Sequence, residues 1–159
     1  MKKSTLTRML VIAATALVLG AVDWSIVAKE RIKRNGEVVL LALAPVDPRS
    51  LMQGDYLALR FAIADQISTE QGGSAALNVD ERRVATLDAT NRPGALRIRY
   101  RVRGERVWLG TNAYFFEESH AADFSGARYG EFRVDRDSGE AVLTGLRDEA
   151  LRPLGVARH

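Results

Sequence analysis

From Met9 to Ala28 the chain runs for 20 residues with a single charged side chain, Asp23, and this run limits what the rest can be. Met9 to Val22 (MLVIAATALVLGAV) is apolar apart from Thr15, and Asp23 precedes Trp24-Ser25-Ile26-Val27-Ala28. As a helix, such a stretch rises about 30 Å, the thickness of a bilayer's hydrocarbon core. It has no polar face to turn to solvent, which argues against a core helix of a soluble domain. Lys2, Lys3 and Arg8 precede it; Lys29, Arg31, Lys33 and Arg34 follow it. Trp24 suits an interfacial belt, and Asp23 stands near the far end, where a carboxylate can reach headgroup water.

The expected organisation is a cytoplasmic tail (1–8), a transmembrane anchor (9–28), a polar stalk (29–36) ending in the Asn35-Gly36 turn signal, and an extracytoplasmic domain (37–159). A cleaved signal peptide is the alternative, although the small-residue pattern around Gly20 and Ala21 is poor for cleavage. The short basic tail favours the N-terminus inside and the domain outside.

Charge follows the same division. The chain of 159 residues has a net charge of +3, yet residues 1–34 hold seven of its 23 lysines and arginines against two of its 20 acids. What remains is slightly acidic, and no lysine follows Lys33. Basicity therefore points to a membrane, and no nucleic-acid partner is expected. The absence of cysteine excludes disulfide scaffolds, cysteine zinc sites, thiol nucleophiles and lipidation of an N-terminal cysteine. The length allows one domain plus an appendage.

Past the stalk the hydrophobic period is mostly two. Glu37–Ala44 reads as a strand buried on both faces, Asp55–Ala64 as a second strong strand, and residues 66–76 as a Gly/Ser/Thr-rich loop. Val84–Leu87 follows. Ala95–Leu109 folds back at Arg103-Gly104-Glu105, Asn112–Glu117 reads as a strand, and a short helix is expected within Glu118–Ala127. Gly130–Asp135 and Glu140–Leu146 form a hairpin. The fold class expected is mainly β, a small antiparallel barrel or sandwich with one short helix, preceded by the transmembrane helix.

Ala44–Phe61 reads A-P-V-D-P-R-S-L-M-Q-G-D-Y-L-A-L-R-F. Pro45 and Pro48 stop the first strand, Asp47 and Asp55 can satisfy turn amides, and Gly54 permits a tight turn. Gly54-Asp55-Tyr56-Leu57-Ala58-Leu59-Arg60-Phe61 resembles the signature of the GDYXXLXY family. Pro45-Val46-Asp47-Pro48-Arg49 and Tyr129-Gly130-Glu131-Phe132-Arg133-Val134-Asp135 also resemble that family. Phe61 departs from it by standing where the signature ends in tyrosine. The resemblance implies a bacterial or archaeal membrane-associated protein, often encoded beside a multi-spanning membrane protein, and implies no established chemistry.

The strand, proline turn and Leu-x-x-Gly-Asp also look like the region after the nucleophile of signal-peptidase-type serine proteases. Those place their serine about eight residues before Gly-Asp, beside a lysine. Here that position is Val46, Ser50 lies only four residues before Gly54, and the domain contains no lysine to activate a hydroxyl.

Two groups of residues are candidates for binding. Asp47, Arg49, Gly54, Asp55 and Tyr56 concentrate polar groups at the strongest turn. Arg97, Arg99, Arg101 and Arg103 alternate with Leu96, Ile98, Tyr100 and Val102, which puts four guanidinium groups on one strand face. That stripe could dock anionic headgroups, a glycan or an acidic partner, or could be a solvent face pairing with acids such as Glu131 and Asp135. Glu117, Glu118, His120 and Asp123 are the ligand-rich cluster, and His159 is terminal. A solvated edge is the simpler reading of the cluster, and no metal or other cofactor is expected.

The function expected is that of a non-enzymatic interaction or accessory subunit of another integral membrane protein in the bacterial inner (cytoplasmic) membrane. Alternatives are a binding module for anionic lipid headgroups or envelope polysaccharide, and a hydrolase whose pocket would join Asp47, Asp55 and Tyr56.

Overall fold

The computed structural model describes residues 2–45, 52–53, 56–70, 72–115 and 121–155. Helix α1 spans Lys2–Asn35, so the apolar run and the polar segment after it are one continuous helix. Thr7–Asn35 holds a window long and apolar enough to cross a membrane, and none of that window is buried. The helix ends where Asn35-Gly36 breaks it, with the Gly36 N–H donating to the Ile32 carbonyl at 2.8 Å.

Strand β1 (Glu37–Ala42) starts at once, followed by β2 (Met52–Gln53), β3 (Tyr56–Ala58), β4 (Gly73–Val79) and β5 (Val84–Leu87). Then come β6 (Leu96–Arg103), β7 (Arg106–Trp108), β8 (Ala113–Phe115), β9 (Tyr129–Val134) and β10 (Ala141–Arg147). Seven of them form a half-barrel in the order β10-β9-β1-β5-β4-β6-β7, and β2-β3-β8 form a smaller sheet. The mainly β expectation holds. Among the described residues strand pairing is antiparallel except between β1 and β5, where Leu40 and Leu41 lie parallel to Val84 and Ala85.

Three local expectations change in detail. The second strand does not run to Ala64: after Ala58 it makes a single bridge at Phe61 and turns into a 3-10 helix, Ala62–Gln66. The loop expected over 66–76 is cut short by β4, which begins at Gly73. The short helix expected within Glu118–Ala127 is a 3-10 turn, Ala121–Phe124.

The core lies inside the curved sheet, where the small sheet and the 62–66 turn cover it. Val39 and Leu41 of β1, Ile98 of β6, and Phe132 and Val134 of β9 meet Leu57, Leu59, Phe61 and Ile63 there. Phe61 and Phe132 stack edge to face with ring centres 5.1 Å apart. Gly130 makes this possible, because a Cβ at that position would stand 2.7 Å from the Phe61 ring. Val39, Leu40 and Leu41 are all buried, as expected of a strand covered on both faces.

Candidate functional site

Period-two alternation carries over into β6. Leu96 and Ile98 are buried, whereas Arg99, Arg101 and Arg103 are exposed on the opposite face. Arg97 belongs to that face by spacing but is fully engaged: it donates to Ser74 Oγ and to the Ser74 carbonyl, each at 3.0 Å, and to Asn91 Oδ1. It ties β6 to β4 and to the turn before β6. The other three are differently placed. Arg99 stands 3.8 Å from Glu140, Arg103 lies over the Trp108 ring at 5.4 Å, and Arg101 has no partner among the described residues. The acids expected to pair with the stripe are committed elsewhere. Glu131 accepts two bonds from Arg147, each at 2.6 Å, and Asp135 accepts from the Ser138 N–H and hydroxyl.

Arg99, Arg101 and Arg103 line one wall of an open groove of about 340 Å³. The other wall is the start of β10 (Ala141, Val142, Leu143) with Glu140, and the floor includes Trp108, Gly110 and Thr111. This groove is the unclosed seam of the half-barrel. A backbone hydrogen bond crosses it, in which the Arg99 N–H donates to the Gly139 carbonyl at 2.7 Å. Gly110 permits the close approach beside it: its φ is +68°, and a Cβ there would lie 2.8 Å from the Ala141 carbonyl oxygen. Lys29 reaches the groove from α1, whose last turns lie against β9 and β10. Among the described residues, four cations and one carboxylate therefore line the groove. Lys29, Trp108 and Glu140 are functional candidates that the sequence reading missed, since each comes from a different element.

Of the turn candidates, Asp47, Arg49, Gly54 and Asp55 lie outside the described residues. The Tyr56 backbone is in β3, paired with Gln53 and Phe115. Just beyond, Leu59 and Arg60 border a wider cleft of about 950 Å³ shared with Asp65, Glu105, Arg106 and Asn112. Arg60 pairs with Asp65 at 2.8 Å. Asn112 Oδ1 is shielded from solvent without a hydrogen-bond partner among the described residues, while its backbone carbonyl accepts from the Leu59 N–H at 2.7 Å. Glu117, Glu118, His120 and His159 also lie outside the described residues, and Asp123 sits in the 121–124 turn. Among the described residues no three histidine or carboxylate side chains converge as a metal site would require.

The displaced carboxyl pKa values mark turns, not the grooves. Asp88 is held well below the usual range by hydrogen bonds from the Thr90 hydroxyl and from Arg92. The Ser138 N–H and hydroxyl lower Asp135, and the Arg152 N–H followed by its guanidinium lowers Asp148. Each aspartate is an acceptor that closes a turn, a structural task.

The model of the GDYXXLXY protein family matches residues 18–146, most of the chain, and the protein belongs to that family. Its function is unknown. No curated protein and no solved structure matches the chain.

Proposed function

With GDYXXLXY membership as the premise, we propose that this chain is a non-enzymatic accessory subunit, anchored by residues 9–28 with its β-domain outside the cytoplasm. It would dock on another integral membrane protein. One observation carries the reading: helix α1 enters the domain without a flexible joint. Ile32 is buried, Arg133 of β9 donates to the Gly36 carbonyl at 3.2 Å, and β1 starts one residue later. The domain's orientation relative to the span is thereby set by packing. Such coupling suits a subunit that must present one surface to a neighbour, and it would be superfluous for a tethered domain that only diffuses.

The span itself has the surface such docking needs. Leu17, Trp24 and Val27 are among its exposed apolar residues, and Gly20 has open space where a second helix backbone can approach. A photo-reactive residue at Leu17 or Trp24 in native membranes should give an adduct with another integral membrane protein. Recovery of uncross-linked monomer and lipid adducts alone would refute the proposal.

The cationic groove favours a second reading, in which the domain holds anionic lipid headgroups or an acidic envelope polysaccharide.

A further inference from the structure

We infer that the seam groove, formed by Lys29, Arg99, Arg101 and Arg103 around Trp108, binds the phosphate group of an anionic phospholipid in the leaflet that the anchor exits. The inference deepens the second reading above and rests on residues 9–28 spanning a bilayer.

Charge is the first argument. The domain after residue 34 carries 16 arginines against 18 acids, so a local excess of four cations over one carboxylate is not inherited from bulk composition. Arg101 has no protein partner among the described residues, and Arg99 meets Glu140 only at 3.8 Å. Their Cα positions recur about 6.8 Å apart along the strand, two residues per step. Planar guanidinium forks suit phosphate oxygens, which accept paired N–H bonds.

Position is the second argument. Lys29 directly follows Ala28, the last residue of the apolar run, and lies about 7.5 Å along the helix axis from Trp24. That is headgroup depth for a helix whose Trp24 sits at the interface. Because Lys29 lines the same groove as the arginines, the groove opens at that depth too. Trp108 fits there, with an apolar ring against Arg103 and amphipathic character suited to the interface. Ala141 and Leu143 pack against the core from this wall, and Val142, on the other face of β10, would meet the glycerol and upper acyl carbons beside a bound phosphate. A soluble polyanion would meet the same cations, but it has no use for an apolar wall or for membrane depth.

The test uses full-length protein carrying Trp24→Phe, so that Trp108 is the only tryptophan, in nanodiscs of phosphatidylcholine with or without phosphatidylglycerol. Headgroup-labelled nitroxide lipid of each class quenches a tryptophan that it contacts. Quenching by the phosphatidylglycerol probe should exceed quenching by the phosphatidylcholine probe and should fall with salt. Arg101→Ser, which breaks no side-chain hydrogen bond or ion pair among the described residues, should weaken the preference about fivefold. Glu140→Gln removes the opposing carboxylate among the described lining residues and should strengthen it, a result that loss of folding cannot imitate. Equal quenching by both probes, or no change in either variant, would overturn the inference. Displacement of the anionic probe by millimolar inorganic phosphate would overturn the lipid assignment in favour of a soluble anion. Extraction by alkaline carbonate separates the underlying reading: protein that stays in the membrane without lipid preference loses the site and keeps the anchor.

Discussion

Phe61 and Gly130 belong to two stretches far apart in the chain, each resembling the same family, and the fold brings them into contact. Phe61 is 1% exposed, its ring meets Phe132, and only the missing Cβ of Gly130 leaves room for it. The phenylalanine that stands in place of the signature tyrosine is thus a core residue. Phe61→Ala should cost about 3–5 kcal/mol and Gly130→Ala about 1–3 kcal/mol, read by urea unfolding. The double variant should lose less than the sum, because truncating the ring removes the clash the new methyl creates. Strict additivity would show that the two residues do not press on each other.

The turn aspartates give a pH prediction at the same scale. Asp88, Asp135 and Asp148 are depressed in the fold, so their contribution is complete above the ordinary carboxylate pKa of about 3.9. As pH falls below that value the unfolded chain takes up protons first and stability declines. The decline ends when the folded carboxyls are themselves protonated. The urea midpoint should therefore fall below about pH 4, and Asp88→Asn should flatten that part of the profile. An identical acid slope in the variant would count against this role for Asp88.

Among the elements, β6 was readable from its own residues and β4 was not. Arginine alternating with Leu96, Ile98 and Tyr100 encodes two faces within one strand, and local spacing suffices to read it. Strand β4 opens with Gly73-Ser74 and buries only Ala75, Ala76 and Leu77, so its small residues mimic a loop. The reverse error occurred at Ala62–Gln66, where Ala-Ile-Ala alternates like a strand but turns as a 3-10 helix around buried Ile63. The seam between β7 and β10 depends on Gly110 at positive φ. Gly110→Ala should cost at least about 1–2 kcal/mol. It should also speed exchange of the Arg99 amide, which donates across the seam. Unaltered exchange would mean that the seam is held elsewhere.

At the scale of the whole molecule, the end of α1 packs directly onto the β-domain. Arg136 of the β9–β10 turn pairs with Glu37 at 2.7 Å, beside the Ile32 and Gly36 contacts, so the helix exit is braced on several sides. Inserting four Gly/Ser residues after Asn35 should leave membrane retention unchanged. It should also increase the rotational freedom of the domain, read by fluorescence anisotropy of a label on an exposed strand residue. Unchanged anisotropy would show that the domain is oriented by something other than α1.

The apolar run, the flanking charge, the absence of cysteine and lysine from the domain, and the strand character of most segments are properties of consecutive residues. The sequence alone therefore determined them. The parallel pairing of β1 with β5, the meeting of Phe61 with Gly130, and the separation of Arg97 from its three neighbours were decided by tertiary structure. So was the gathering of Lys29, Trp108 and Glu140 at one groove. Each depends on which distant segments become neighbours when the sheet curls, and the spacing within any one segment carries no record of that.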